Sequence, residues 1–231
     1  MRSKISAGIA GLVAGVSLVL TGCNVNSDNN VQPQIPVSYV AIYNESPDSP
    51  GLSFVIDNNQ INYHPLDYSE YSGYLSFYTG TRTLKVGPFG ASNIVVDTTL
   101  TLVDQKYYSV FIVDNYSKAE ALVLSDSGQA PAAGFAKVRL VNLSPDAGSV
   151  KLTAGSAVVA DSLNFKAATQ FVQVDATTKK FTVTSDDGGT VNLALPDTNL
   201  VSGAFYTFLV RGYKTPPTGN TNVLSAEVVS N

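Results

Sequence analysis

Short runs in which apolar and smaller or polar residues alternate recur along most of the chain. Clear cases are residues 83–86, 137–140 and 191–195, where Val or Leu stands at every second position. A period of two places one set of side chains in a core and the other in water, as in a β-strand. Val, Thr and aromatic residues, which favour strands, are frequent in such runs. No helical period follows residue 22, so the pattern predicts an all-β protein.

Turn-forming residues separate the apolar runs. Residues 57–59 (Asp-Asn-Asn), 87–88 (Gly-Pro) and 216–217 (Pro-Pro) consist of the residue types that reverse a chain. Residues 186–189 (Asp-Asp-Gly-Gly) predict a tight hairpin turn, because they lack the alternating oxygen ligands of a calcium loop. Roughly seven or eight strands in about 90 residues predict an immunoglobulin-like antiparallel β-sandwich, without the cysteine pair and tryptophan of antibody domains.

An internal repeat divides this β-rich part of the chain. Asn-x-Ser-Pro-Asp occurs at 44–48 and again at 142–146, and Tyr-Tyr-Ser-Val-Phe at 107–111 matches Phe-Tyr-Thr-Phe-Leu at 205–209. Both offsets are 98 residues. Matches in the same order at one spacing predict two copies of a single structural unit.

The repeat also predicts the domain limits. The first β-sandwich spans 37–125 and the second spans 135–231, and the small and polar residues 126–134 link them. The predicted fold is therefore two tandem immunoglobulin-like sandwiches that follow a signal peptide and a flexible tether.

The first 22 residues have the composition of a secretory signal peptide. Arg2 and Lys4 precede an uncharged run at 5–20, which is too short and too rich in glycine for a membrane-spanning helix. Leu-Thr-Gly-Cys at 20–23 resembles the lipobox of bacterial lipoproteins. That resemblance implies cleavage after residue 22 and a lipid on the Cys23 thiol.

A lipid on Cys23 predicts a protein held on a membrane of the cell envelope, since two or three acyl chains anchor stably. Residues 23–36 are then the lipidated cysteine and a polar, flexible tether. Cys23 is the only cysteine, so no disulfide and no cysteine-rich metal site can form within the chain. Asn24 follows it where Asp would favour retention at an inner membrane, which favours the outer membrane in bacteria that have two.

The charge balance limits the partners. Without Arg2 and Lys4, 12 basic and 18 acidic side chains remain, a formal charge of −6. Nucleic acids and anionic membrane surfaces both require basic patches, so neither is a predicted partner. The predicted membrane contact is the lipid itself.

Each copy resembles the bacterial domain-of-unknown-function family 4397. The resemblance rests on an apolar strand entering Asn-x-Ser-Pro-Asp, at 40–48 and 138–146, and on a late strand with Tyr108-Ser109 or Tyr206-Thr207. It covers nearly all of the chain after the signal peptide. The family occurs in exported proteins, often duplicated and lipid-anchored, and it brings no known activity, substrate or catalytic residues.

Two repeated features have both a functional and a structural interpretation. Asp48 and Asp146 could be ligands or acids, but Asn, Pro and Asp in this order favour a turn. Tyr108 and Tyr206 could contact a ligand, but a tyrosine at a sandwich corner whose hydroxyl bonds to the backbone accounts for them better.

The segment 63–78 is the candidate contact surface. It contains five tyrosines, whereas the matching region of the second copy has only two phenylalanines, so the fold itself does not demand this density. Tyrosine offers a flat apolar ring and a hydroxyl, which suits contact with a protein or a glycan. Tyr68, Tyr71 and Tyr74 are the predicted binding residues; the alternative is a strand pair with tyrosines in the core and at the edge.

Catalytic motifs are not recognisable. His64 is the only histidine, and the chain lacks GxSxG, HExxH, CxxC and P-loop patterns. We therefore predict a non-enzymatic, lipid-anchored envelope protein that binds another protein or a glycan, with no cofactor or metal. Two alternatives stay open: a carboxylate-dependent hydrolase of cell-wall or polysaccharide material, and a purely structural spacer, which predicts that 63–78 is buried.

Overall fold

A computed structural model describes residues 34–185 and 191–231. The predicted signal peptide, Cys23, most of the tether and the Asp-Asp-Gly-Gly turn at 186–189 lie outside these residues. Residues Ile35–Asn231 form one compact unit. Within the described part, no helix is long and apolar enough to cross a membrane.

The described residues form strands throughout, as the alternation predicts. The first half contains β1 (Val37–Asn44), β2 (Leu52–Ile56), β3 (Asn59–Gln60), β4 (Tyr71–Tyr78), β5 (Gly80–Pro88), β6 (Val96–Leu102), β7 (Tyr107–Val113), a short 3-10 helix (Tyr116–Lys118) and β8 (Glu120–Ser125). The second half contains β9 (Phe135–Asn142), β10 (Val150–Ala154), β11 (Ala157–Leu163), β12 (Val172–Asp175), β13 (Thr178–Lys179), β14 (Phe181–Ser185), β15 (Asn192–Ala194), β16 (Thr198–Asn199), β17 (Phe205–Arg211) and β18 (Ser225–Ser230).

Each half is a sandwich of two four-stranded sheets, which confirms the predicted fold class. In the first half, sheet A has the order β4-β1-β7-β8 and sheet B the order β3-β2-β5-β6. In the second half, sheet C has the order β12-β9-β17-β18 and sheet D the order β11-β10-β14-β15, and β13 pairs with β16. Most pairs are antiparallel, but β1 runs parallel to β7 and β9 runs parallel to β17. Alternation specifies which face is buried and not the direction of the neighbouring strand, so it could not predict these pairs.

A separate apolar core fills each sandwich. The first core combines Val40 and Ile42 of β1 with Phe54 of β2 and Leu84 of β5, all at most 1% exposed. The second combines residues such as Leu140, Phe181 and Phe208 in the same manner. Each fully buried side chain of this size contributes about 1.5–3 kcal/mol of transfer free energy.

A third apolar cluster joins the two sandwiches. It consists of fully or almost fully buried residues from the middle strands of sheets A and C, together with Leu143 directly after β9: Ala41, Tyr43, Phe111, Val113, Val141, Leu143 and Leu209. Strands β1 and β7 are therefore buried on both faces, and Val40, Ala41 and Ile42 are consecutive residues without exposure. The two outer faces that alternation alone assigns to water instead pack against each other.

The repeated Asn-x-Ser-Pro-Asp motif stabilises the loops at the end of this interface. Asp48 accepts a hydrogen bond from the backbone N–H of Tyr116 at 2.6 Å, and Asp146 accepts equivalent bonds from Lys214 and Thr215 at 2.7 and 2.8 Å. The carboxylates therefore tie the loop after the first strand of each half to the loop after its late strand. The local turn bonds of the motif come instead from its asparagines, because Asn44 and Asn142 each accept a hydrogen bond from the N–H two residues later.

The two tyrosines of the late strands are also structural. The Tyr108 hydroxyl accepts a hydrogen bond from the Val103 N–H at 3.3 Å, and the Tyr206 hydroxyl accepts one from the Val201 N–H at 3.0 Å. In each case the donor lies five residues earlier, so the ring closes the turn that precedes its own strand.

A buried ion pair lies in the interface between the halves. Arg211 contacts Glu45 at 3.1 Å and also bonds to the half-exposed Glu227, whereas the Glu45 side chain has no exposure. Glu45 Oε2 and the Tyr68 hydroxyl have no hydrogen-bond partner among the described residues. Burial raises the pKa of Glu45 to about 7, and the Arg211 guanidinium opposes that rise only in part.

Because the two halves share a buried cluster, we expect them to unfold together. Leu209→Ala should lower the free energy of unfolding by about 2–5 kcal/mol while leaving a single transition, measured by urea denaturation with tyrosine fluorescence and circular dichroism. Val103→Ala, at a side chain that is 52% exposed, is the control and should have little effect. Two separate transitions, of which Leu209→Ala shifts only one, would show that the halves fold independently.

The raised pKa of Glu45 predicts a pH dependence of stability. Between pH 4.5 and about 7 the folded protein keeps a proton on Glu45 that the unfolded chain has lost, so stability falls as pH rises through this window, by up to about 1.4 kcal/mol per pH unit. Glu45→Gln should remove this contribution, and the control Asp97→Asn, at an exposed carboxylate on β6, should keep it. Denaturation midpoints measured from pH 4.5 to 8 test this, and identical slopes for wild type and Glu45→Gln would contradict it.

Candidate binding cleft between the two sandwiches

The tyrosine-rich segment is only partly exposed. Tyr63, Tyr71 and Tyr78 are 87%, 56% and 59% exposed, whereas Tyr68 and Tyr74 are half-buried. This exposure contradicts the expectation from the spacer hypothesis that the segment is buried. The tyrosines that the first half has in this segment, and the second half lacks, therefore lie at the surface and at the interface between the halves.

The three predicted contact residues do not form one surface. Tyr71 lies opposite Tyr43 on β1 and stacks on its ring at 5.0 Å, while Tyr74 lies opposite Ala41. Tyr68 lies beyond this strand, and its buried hydroxyl is close enough to Glu45 for the two groups to interact electrostatically. Of the three, only Tyr74 lines the cleft described next.

A cleft of about 460 Å³ lies between the two halves, and we call it the tyrosine cleft. It is at the end of the interface where β7 and β17 begin and where β8 and β18 end. Its principal lining residues come from both halves: Tyr74, Gln105, Tyr107, Asp126, Phe205 and Asn231.

Aromatic rings form the walls of the tyrosine cleft. Tyr107, which is 42% exposed, stacks on Tyr39 at 4.6 Å and meets the edge of Tyr74 at 5.2 Å. On the opposite side, Phe205 meets Phe171 edge-on at 5.1 Å. Such contacts orient a ring as well as burying it, so the wall rings are held in place before any ligand arrives.

Asp126 forms the polar floor of the cleft. Its side chain is almost fully buried, and one carboxylate oxygen accepts hydrogen bonds from the hydroxyls of Tyr74 at 2.7 Å and Ser109 at 2.8 Å. The other oxygen forms an ion pair with the buried guanidinium of Arg139. Removing one member of a buried ion pair costs about 3–5 kcal/mol, because the other charge is left without a partner.

The hydrogen bonds continue from Arg139 back to Tyr74 and close a ring. Arg139 donates to the Thr207 hydroxyl at 2.9 Å, Thr207 donates to the Asn231 side-chain oxygen at 2.6 Å, and the Asn231 amide contacts the Tyr74 hydroxyl at 3.4 Å. Burial, reinforced by the Asp126 carboxylate, raises the pKa of Tyr74, so its hydroxyl remains a donor at neutral pH. The floor is therefore a preorganised set of polar groups drawn from both halves.

Sequence reasoning missed Tyr107 and Phe205. Both precede the tyrosines of the late strands, and they are 98 residues apart. Since successive side chains of a strand point to opposite faces, assigning Tyr108 and Tyr206 to the core implied that Tyr107 and Phe205 face the other way. The alternation could not show that the two halves pack against each other through these outer faces, which point away from each sandwich core.

The cleft has the chemistry of a binding site. Aromatic faces suit the apolar face of a ligand, and the fixed floor suits hydroxyl groups. Asp126 is the only acidic side chain that lines it, and that carboxylate is held in the ion pair with Arg139; a glycosidase would need two facing carboxyl groups. In the ranges that the structure describes, no group of three or more His, Cys, Asp or Glu side chains could hold a metal ion.

Three solved structures resemble the chain only distantly. A carbohydrate-binding module of family CBM26 from Eubacterium rectale, in complex with maltoheptaose, is 10% identical with a TM-score of 0.29, and the match covers 84% of this chain and 97% of the module. A leucine-rich repeat protein from Bacteroides thetaiotaomicron is 12% identical with a TM-score of 0.19, covering 74% of this chain and 25% of that one. A candidate cell adhesion protein from Bacteroides uniformis is 9% identical with a TM-score of 0.22, covering 83% and 98%. Scores this low carry no functional inference for this chain.

The family comparison is more informative about ancestry. No curated protein matches the chain. The family described as Domain of unknown function (DUF4397) matches residues 38–153, from the second residue of β1 to the fourth residue of β10. The match therefore includes all of the first sandwich except Val37 and crosses the predicted linker into the second. Because it covers half of the 231 residues, the chain belongs to the DUF4397 family.

Proposed function

We propose that the protein is a non-enzymatic binding protein of the cell envelope, that a lipid on Cys23 anchors it, and that it binds glycans in the tyrosine cleft. The observation that carries the proposal is the cleft itself, with Tyr107 and Phe205 as walls above a hydrogen-bonded polar floor. Of the tyrosines predicted from sequence, the proposal retains Tyr74. Tyr68 and Tyr71 are not among the lining residues and are left out of the site.

A glycan fits the cleft better than a protein side chain does. A sugar ring has one face of C–H groups that packs on an aromatic ring and a rim of hydroxyls that needs donors and acceptors. The cleft supplies both kinds of contact over about 460 Å³, a volume typical of small-ligand sites. Its polar groups are already oriented by the ring through Asp126 and Arg139, which lowers the entropy cost of binding.

The position of the cleft suits a ligand in the envelope. Val37 begins β1, directly after the predicted tether, and its carbonyl accepts a hydrogen bond at 2.8 Å from the N–H of Gln105, which lines the cleft. The cleft therefore lies at the end of the first sandwich where β1 begins. Thirteen tether residues span about 20 Å on average.

Removing either wall ring should weaken glycan binding. We expect Tyr107→Ala and Phe205→Ala each to reduce affinity about tenfold, as the loss of about 1.4 kcal/mol of ring contact implies. The measurement is affinity electrophoresis of the full-length protein in gels that contain envelope and plant polysaccharides. Tyr63→Ala removes a more exposed ring outside the cleft and should leave the mobility unchanged. Failure of every polysaccharide to retard the wild-type protein, or equal retardation of all three variants, would refute the proposed site.

The anchor has its own test. In mass spectra of the protein purified from bacterial membranes, the N-terminal peptide should begin at Cys23 and carry the mass of a diacylglyceryl group. Cys23→Ser should lose this mass and move from the membrane to the soluble fraction. An unmodified thiol, or a leader that is still attached, would contradict the anchor without bearing on the cleft.

A further inference from the structure

A second cleft of about 340 Å³ adjoins the tyrosine cleft, and we call it the lysine cleft. Ser127 and Gly128 of the linker line both cavities. A Cβ atom placed on Gly128 would lie 3.5 Å from the Phe205 ring, so the linker backbone passes close over that ring. A chain-like ligand bound on one side of this backbone therefore has the other cavity within reach of its next unit.

The aromatic pairs beside the two clefts have similar geometry. Tyr74 meets Tyr107 edge-on in the first half, and Phe171 meets Phe205 edge-on in the second, with interplanar angles of 87° and 82°. One of the differences between them is a charge. Tyr39 stacks on Tyr107, whereas Lys137, which lies 98 residues later, holds its ammonium 5.9 Å from the centre of the Phe205 ring.

The charge of Lys137 is not neutralised within the described part of the chain. Its ammonium donates to the carbonyl of Gln129, and no described carboxylate lies within 4 Å of it. The neighbouring cation, Arg139, is instead paired with Asp126 and bonded to Thr207 and the Ser125 carbonyl. An ammonium has three donors, so Lys137 can still bond to an anion.

Arg139 also lines the lysine cleft, but its charge is paired with Asp126, and the remaining lining residues are uncharged. Gln129, Thr169 and Gln170 provide neutral polar groups, Phe171 provides an aromatic face, and no acidic side chain lines the cavity. One available positive charge among neutral amides matches a group with a single negative charge. This local excess of positive charge contrasts with the formal charge of −4 of the whole chain, so it does not follow from bulk composition.

We propose that the lysine cleft binds the carboxylate of an acidic sugar while the neighbouring part of the same chain occupies the tyrosine cleft. The ligand class is thus an acidic, uronate-containing polysaccharide. This inference rests on the proposed glycan-binding function and specifies its ligand. Lys137 supplies the charge contact. The Phe205 ring lies beneath the Lys137 ammonium on one side and forms part of the wall of the tyrosine cleft on the other. It therefore lies between the two sugar units of the proposed ligand.

The test uses matched polymers. Polygalacturonate, alginate, hyaluronan and xanthan are each compared with their carboxyl-reduced forms, in which the uronate has become a neutral sugar, by affinity electrophoresis of the full-length protein. We expect one or more acidic forms to bind at least about fivefold more tightly than their reduced partners at low salt, an advantage that salt should weaken because it screens exposed charges. Lys137→Met should bring binding of the acidic form to the level that the same variant shows for the reduced form.

A control variant and the binding of neutral polymers separate the acidic-ligand inference from the glycan-binding function on which it rests. Lys85→Met removes the same charge from β5, away from both clefts, and should preserve the preference for acidic forms. If neutral and reduced polymers bind with the expected dependence on Tyr107, but acidity gives no advantage or Lys137→Met behaves like Lys85→Met, the acidic ligand is ruled out and the glycan-binding function stands. If no polymer in either form binds, the proposed function itself fails.

Discussion

The burial of the outer faces of sheets A and C against each other is the constraint on which the rest of the structure depends. A sandwich needs only one apolar face per sheet, and Val40 and Ile42 satisfy that need in the first half. Ala41 and Phe111 are buried for another reason, because the second sandwich covers the reverse side of their strands. Four layers result, and the two halves form a single compact unit.

The interface has polar groups at matching places in the two halves, but their charges differ. Asp126 and Asn231 hold equivalent places: each backbone N–H bonds to the first residue of a late strand, at 2.8 Å to Tyr107 and 3.0 Å to Phe205. The side chain of each also accepts a hydrogen bond from the residue two positions further along that strand: Asp126 from the Ser109 hydroxyl, and Asn231 from the Thr207 hydroxyl. Of these two residues, only Asp126 is charged. Its matching cation is Arg139 of the second half, whose equivalent position in the first half is Ala41. The interface is symmetric in geometry and asymmetric in charge, which makes its two clefts different.

The fold was largely predictable from sequence because strand period, turn residues and the repeat are local or periodic signals. The strands β5 and β9 appear where the alternation places them, and Asp48 and Asp146 lie in loops as their residue types suggest. The stacking of the halves was not predictable, because Val40-Ala41-Ile42 reads equally well as one strand of an isolated core. For the same reason closeness in sequence groups Tyr68, Tyr71 and Tyr74, although Tyr68 precedes β4 and the register of β4 on β1 places Tyr71 opposite Tyr43 and Tyr74 opposite Ala41. Tyr107 and Phe205 acquire their significance only when both halves meet.

The hydrogen bond between the Gln105 N–H and the Val37 carbonyl holds the start of β1 beside a residue that lines the tyrosine cleft. The Asn-x-Ser-Pro-Asp loops lie at the other end of β1 and β9, at the opposite pole of the described unit. A ligand that fills the cleft therefore leaves these loops untouched, and their sequence is free of any constraint from that ligand.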